Sequence, residues 1–231
     1  MPMLLWCGTI CGLIALTDFS SAVLLFLTCL LIMFIGRVPM KYLASLVIIG
    51  ALVGSLAFAF GQRGTTVVSR IENYLNPEEV SYQAEQSFIA IATGGIVGKG
   101  PGKSDQRNFL PHPYSDFIYA IVIEEYGVLG GAFIVLLFLT LLYRGMVTAA
   151  NSSRAFEGLL STGLSFSLAL QALINMGVAV GLIPVTGLPL PLVSMGGTSL
   201  LFTGLSIGVI LSVSRGDTAT IGSQNMKKAN A

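Results

Sequence analysis

Charge is what this 231-residue chain has least of: only 10% of its residues are Asp, Glu, Lys or Arg, against roughly 25% in a soluble globular domain. With 54% hydrophobic residues and a mean hydropathy of +0.82, it is not built to sit in water. Twelve basic residues face eleven acidic ones for a net charge of +1. That net charge says nothing about partners, and a nucleic-acid role has no support in the sequence. Cysteine is equally sparse. Cys7, Cys11 and Cys29 all lie in the first two apolar runs, which leaves no disulfide framework in the polar part of the chain. Cys7 and Cys11 share a helix face, but no further metal ligand accompanies them, and they read as small core residues. Met1-Pro2-Met3-Leu4 carries no basic group ahead of the apolar run, so a cleavable signal peptide is not expected.

What the chain does have is long apolar runs. Six stretches stand out, at about 3–17, 20–36, 42–60, 129–148, 157–182 and 190–214. Several reach the roughly 20 residues that cross a ~30 Å hydrocarbon core. Only Thr17-Asp18-Phe19-Ser20 separates the first two, which predicts a tight helical hairpin. The fold class is therefore all-α and polytopic. About six transmembrane helices form a single membrane domain over 1–231, with a long loop at about 61–128 that contains short helices. Arg37 and Lys41 follow the second run, Arg144 and Arg154 the fourth, and Arg215, Lys227 and Lys228 the sixth. The alternate short connections, near Asp18 and near Pro184–Pro189, carry no Lys or Arg. The positive-inside rule then puts both termini in the cytoplasm and the long loop outside; the loop's own basic residues weigh little, because long loops translocate largely regardless of charge.

Gln62 to Tyr126 gathers the polar chemistry: most of the acidic residues, the only histidine and five of the twelve basic residues. Within it, Ser87 to Gly98 is an apolar run too short to span, the length of an interfacial or re-entrant helix. It breaks into Gly98-Lys99-Gly100-Pro101-Gly102-Lys103-Ser104. This is not a Walker A loop, because Thr93 stands at the first glycine position and Gly100 follows the lysine. Lys99, Lys103 and Arg107 remain as cations able to meet an anionic group, or as ordinary solvated charge. Further on, Ser115 or Asp116 precedes Phe117-Ile118-Tyr119-Ala120 in the manner of a helix N-cap. The same aspartate, between an apolar entry and a basic turn, is also placed to act as a base. Glu124 and Glu125 follow on the predicted helix, and burial would raise a carboxylate there into the range of a general base.

The last third carries its own mark. Asn175-Met176-Gly177 lies in an apolar run, and the prolines between Pro184 and Pro191 break the helix where it surfaces. Leu192-Val193-Ser194-Met195-Gly196-Gly197-Thr198-Ser199 then heads the final span. Irregular backbone at membrane depth persists only where protein covers it or where it lines a cavity, so this segment is expected to border an outward-opening groove. The pairs Gly50/Gly54, Gly177/Gly181 and Gly204/Gly208 suit close helix packing.

Four blocks in this order resemble the SEDS family of FtsW, RodA and SpoVE. They are Thr17 to Ala22; Gln86 to Ile91 with Gly94-Gly95 and Gly98-Lys99-Gly100; Leu110 to Tyr119 with Glu124-Glu125-Tyr126-Gly127; and Pro184 to Ser199. The resemblance covers essentially the whole chain, whose six runs match the last six of the family's ten spans. It departs at His112-Pro113 and at Met195. It implies a peptidoglycan glycosyltransferase that polymerises lipid II at the outer face of the bacterial cytoplasmic membrane. Asp116 takes the position of the family's essential aspartate, the expected general base. Lys99, Lys103, Arg107, Glu124, Ser194, Gly196 and Gly197 are weaker substrate-binding candidates, and a divalent cation is a further candidate for meeting the pyrophosphate charge. The partners implied are a class B penicillin-binding transpeptidase, divisome proteins and membrane lipid. The blocks look more like FtsW than RodA, which favours septal synthesis over an elongation role. A lipid II flippase and a non-catalytic scaffold are the rival classes, and a flippase should place ionisable groups near mid-membrane, where these runs have almost none. The six-run chain alone is expected to be inactive without the family's first four spans.

Overall fold

The computed structural model describes residues 2–60, 64–75, 82–110, 114–152 and 154–229, and among them the regular structure is helical, with no strand. Pro111, His112, Pro113 and Ser153 lie outside the described residues. The helices are α1 (Pro2–Thr17), α2 (Phe19–Ile35), α3 (Met40–Phe60), α4 (Gly64–Leu75), α5 (Tyr82–Gly94), α6 (Ile118–Asn151), α7 (Ala155–Ala179) and α8 (Gly197–Ala229), with a 3₁₀ turn at Gln106–Asn108. By length and composition, Ile118–Asn151, Ala155–Ala179 and Gly197–Arg215 are able to cross a membrane. Leu5–Thr17, Phe19–Ile35 and Met40–Leu52 are shorter apolar helices. Each of the six apolar runs thus contributes a helix.

The α1–α2 hairpin turns on one residue. Asp18 is extended at φ −143° and ψ 101° and accepts from the amides of Ser20 and Ser21, two of the donors a helix start leaves orphaned. Met33 of α2 and Leu43 and Leu46 of α3 bury together, with Cys7 of α1 packed against them. The thiols are unpaired and Cys11 is buried.

Helix α7 is the axis of the bundle: half of its most apolar window is buried, against 17% for α6 and for α8. The reason is its run of small residues, Gly158, Ser161, Thr162, Gly163, Ser165, Ala169 and Ala172, all buried. Small side chains let neighbouring backbones approach, which is what drives helix association where lipid is as apolar as protein. At Gly163 a Cβ would fall 2.6 Å from Ile32 Cδ1 of α2. Ala90 of α5, Tyr119, Ala120 and Ile123 of α6, Ala172, Met176 and Ala179 of α7, and Leu190 close one core beneath the site. The pairs at Gly177/Gly181 and Gly50/Gly54 are only partly of this kind: Gly50 is packed by the Phe26 ring, whereas among the described residues nothing lies within 4 Å of a Cβ placed on Gly54, Gly204 or Gly208.

Two boundaries differ from the sequence reading. Helix α6 begins at Ile118 and is broken at Gly127 (φ 73°, ψ −177°), so the uninterrupted helix follows Gly127, close to the expected start at about 129. The last helix starts at Gly197 rather than near 190. Residues 188–196 are non-helical instead, with a turn at 191–193. Leu192 sits at φ 65°, and the Ser194 hydroxyl takes the Leu190 amide at 2.7 Å, a donor that a helix would otherwise use.

Candidate active site

The break in α6 is where the polar segment attaches. Opening the helix at Gly127 frees carbonyls, and the glycine-rich turn after α5 supplies their partners. The amides of Lys99 and Gly100 donate to the carbonyls of Glu124 and Glu125 at 2.9 Å each, and the Val128 amide donates to Gly95 O at 3.0 Å. A Cβ on Gly127 would run into the backbone of Ile96 and Val97, and its dihedrals belong to a region that is essentially glycine-only. The blocks Gly98-Lys99-Gly100 and Glu124 to Gly127 are therefore two sides of one backbone joint.

Glu124 ties the joint down. Its side chain is fully buried. It accepts from Lys99 Nζ at 2.6 Å, Ser104 Oγ at 2.5 Å, Asp105 N at 3.2 Å and Gln106 N at 3.4 Å. Lys99 also reaches Asp105 at 2.9 Å. The Glu124 carboxylate, and then that of Asp105, hold the lysine above the ordinary ammonium value. Both residues are thereby spent. Glu124 is no free base, because its acceptor sites are occupied by a cation, a hydroxyl and two amides, and Lys99 arrives at the site already neutralised. Lys103 is exposed and Arg107 half-buried. Among the described residues neither forms an ion pair, and the Arg107 backbone amide donates to Ser104 Oγ at 3.2 Å.

Asp116 sits at the other end of the short helix 118–126, and it does not cap it. The N-cap position is Phe117, without a side-chain cap bond. Residues 114–117 form turns, and their backbone is held from outside. Ser194 Oγ donates to Ser115 O at 2.6 Å, the Met195 amide donates to Tyr114 O at 2.8 Å, and Asn175 Nδ2 donates to Asp116 O at 2.9 Å. The same Asn175 amide donates to Leu188 O at 2.8 Å, so one buried NH₂ ties Asp116 to the loop before α8. Among the described residues the Asp116 carboxylate accepts only from Ser115 Oγ, at 2.8 Å. It lies beside Gly187 (φ 76°), whose Cβ would be 4.0 Å from Asp116 Oδ2. A carboxylate can accept about four hydrogen bonds; this one is half-buried and largely uncommitted.

The predicted residues thus divide. Asp116 and Ser194 come together; Lys99 and Glu124 form a separate knot with Ser104; Lys103 and Arg107 lie on its rim. Gly196 is one residue beyond the Met195 contact and Gly197 opens α8, with nothing within 4 Å of its Cβ position. Asn175, absent from the candidate list, is the residue sequence reasoning missed. Its signal was present: an amide side chain in an apolar helix demands partners. Among the described residues no group of three or more His, Cys, Asp or Glu converges on a metal position.

A bundle of apolar helices with its polar residues gathered into one loop assembly around an uncommitted carboxylate is a polytopic membrane protein with a site at one end. The chain belongs to the cell cycle protein family of FtsW, RodA and SpoVE, whose family model matches residues 1–219. It is 38% identical over 203 residues to stage V sporulation protein E of Bacillus subtilis, covering 86% of this chain and 55% of that one. It is 37% identical over 222 residues to the probable peptidoglycan glycosyltransferase FtsW of Coxiella burnetii, covering 92% and 58%. The chain therefore spans a little over half the length of these relatives. Among solved structures it resembles a chain described under structural coordination of polymerization and crosslinking by a peptidoglycan synthase complex. That match has a TM-score of 0.64 and 27% identity over 91% of this chain and 60% of that one. A mutant of the rod shape determining protein RodA of Thermus thermophilus shares the fold, with a TM-score of 0.58 at 24% identity over 89% of this chain and 53% of that one.

Proposed function

We propose that this chain carries the catalytic aspartate of a peptidoglycan polymerase that joins lipid II units at the outer face of the cytoplasmic membrane. The observation that carries the reading is the state of Asp116. It is not used as a helix cap, among the described residues its carboxylate accepts one hydrogen bond, from Ser115 Oγ, and its carbonyl is held by Asn175 and that of Ser115 by Ser194. A fixed carboxylate with open acceptor positions suits a general base. Asp116 takes the proton from an acceptor sugar hydroxyl as that oxygen bonds to the anomeric carbon of the donor. The bond from that carbon to the pyrophosphate oxygen breaks, and undecaprenyl pyrophosphate departs with the electron pair. A leaving group this good needs no second carboxylic acid of the kind a glycosidase supplies. Membership of the family and the names of relatives support the reaction class.

The finer assignments belong to the same proposal. The basic residues flanking the apolar helices put both termini in the cytoplasm and the loop outside. The partner class is a penicillin-binding transpeptidase with other divisome proteins, and the role is septal synthesis. Asp116→Asn tests the core of it. Asparagine keeps the shape but takes up no proton, so in an otherwise complete protein that includes the family's first four spans, glycan formation from purified lipid II in detergent should fall by at least about 10²-fold with an unchanged melting temperature. Substantial activity in that variant refutes the reading. Detergent removes any leaflet to flip across, so glycan formation also separates a polymerase from a flippase.

A further inference from the structure

The stretch 184–190 forms neither helix nor turn, and Pro184 and Pro189 give it no amide to donate. Its carbonyls are taken by side chains from two directions. From α7, Asn175 Nδ2 donates to Leu188 O and Gln171 Nε2 to Pro189 O, at 2.8 and 2.9 Å. From α4, Arg70 Nη1 donates to Val185 O and Thr186 O at 3.2 and 3.3 Å. Tyr74, one turn along the same face of α4, donates to Leu182 O at 2.9 Å, just before the stretch.

The two holds act on different pieces. Gly181 (φ 75°) and Gly187 (φ 76°) are both left-handed, a conformation in which glycine bends a chain without strain. Between them, 182–186 is the piece that α4 grips; past Gly187, Leu188 and Pro189 are gripped by α7. Gly187 is the junction, and there the loop meets the candidate base, since a Cβ on it would lie 4.0 Å from Asp116 Oδ2. Val185 makes a second contact. Together with Ile183 it packs against Leu110, Phe117, Ile121 and Val178, and Phe117 follows Asp116 in the chain. The Asp116 carbonyl is already fixed by Asn175. Its carboxylate, which among the described residues accepts only from Ser115, is left to be set by what packs on it.

We propose that Arg70 is a positioning residue for Asp116. By fixing the carbonyls of Val185 and Thr186, it seats Gly187 beside the carboxylate and Val185 against Phe117, and so holds the carboxylate in the orientation that takes up a proton. This role presupposes Asp116 as the general base. Arg70 touches no substrate in it. Its loss therefore slows the chemical step and leaves substrate binding as it was.

The test is lipid II polymerisation as a function of lipid II concentration, in a complete protein that includes the family's first four spans. Arg70→Met keeps an unbranched chain and removes the donors. Its kcat should fall about 10–100-fold, the scale of a ~1 Å displacement of a reacting group, with KM unchanged. Arg70→Lys, which keeps a cationic donor without the fork, should recover part of that loss. Tyr74→Phe is the control for loose docking of α4: it removes the bond at the far end of the gripped piece. It should shift the melting temperature about as much as Arg70→Met does, with kcat close to that of the parent. Added to Asp116→Asn, Arg70→Met should cost nothing further, because a residue that acts through the carboxylate then has nothing to position. An unchanged kcat in Arg70→Met, a rise in its KM alone, an equal fall in kcat for Tyr74→Phe, or the same fold-loss in the Asp116→Asn background overturns the role. Activity that survives in Asp116→Asn alone refutes instead the reading of Asp116 as the base, and is seen without any change at Arg70.

Discussion

Asn175 is the residue whose replacement most directly tests how the Asp116 loop is held. It is 1% exposed, and its Nδ2 lies 2.9 Å from Asp116 O and 2.8 Å from Leu188 O. Both partners are acceptors, so the nitrogen, not the oxygen, must face them, and its two hydrogens are both used. Asn175→Ala removes two bonds worth about 1 kcal/mol each net. Part of that loss is recovered, because Asn175 Oδ1 is itself buried without a partner among the described residues. A net destabilisation of about 1–3 kcal/mol follows. Asn175→Asp should be worse than Ala. It turns a carboxylate oxygen toward two carbonyl oxygens in a buried site, costing several kcal/mol or forcing protonation (about 2–7 for an unpaired polar group). The assay is a thermal melt in detergent beside lipid II polymerisation by an active preparation. Melting should drop by about 2–4 °C per kcal/mol in a chain of this size, and a displacement of Asp116 by ~1 Å should lower the rate about 10²-fold. If the Asp variant melts and polymerises like the Ala variant, the amide is not a two-donor clasp. If Ala itself is silent in both measurements, the clasp does not hold Asp116.

Gly127→Ala should abolish folding or lower stability by more than about 2 kcal/mol, because the new methyl meets the Ile96–Val97 backbone in a glycine-only conformation. Gly204→Ala, where among the described residues nothing lies within 4 Å of the added methyl, should melt like the parent. Glu124→Gln replaces one acceptor oxygen with a donor that faces the Ser104 hydroxyl or Lys99, and amide exchange at Asp105 and Gln106 should speed about tenfold or more. Lys99 titrates above its ordinary value of 10.5. Its contribution to the loop is whole below that value and is lost only as pH rises through the higher folded one. Loop exchange corrected for intrinsic rate should therefore be flat from pH 6 to 9, and protection lost within that window refutes the pairing. Single cysteines at the exposed positions Lys103 and Phe156, with the native cysteines removed, should label from the outside and the inside respectively. The reverse pattern overturns the orientation.

The helices were legible because their cause is local. Runs of apolar residues of the right length, and Asp18 between two of them, leave few alternatives to helices joined by a cap. The site was legible as a list but not as a map. Glu124 and Asp116 look alike in sequence, two acidic residues on either side of the start of an apolar run. What separates them is non-local. A turn some twenty residues upstream brings Lys99, Ser104 and two backbone amides to Glu124, while among the described residues only the Ser115 hydroxyl reaches the Asp116 carboxylate. The capping expectation for Asp116 failed for a related reason. Capping requires the aspartate to stand one residue before the helix with its backbone extended, and Tyr114 to Phe117 are instead bound into turns by contacts from the loop before α8. That loop was read as the head of a span because its residues are apolar. Pro191, Leu192 at φ 65° and the Ser194 hydroxyl direct its amides elsewhere. The misplacement of α8 and the misreading of Asp116 are thus linked: among the residues withheld from the last helix, Ser194 and Met195 hold the carbonyls of Ser115 and Tyr114 in turns just before the aspartate, while Asn175 of α7 holds the carbonyl of Asp116 itself.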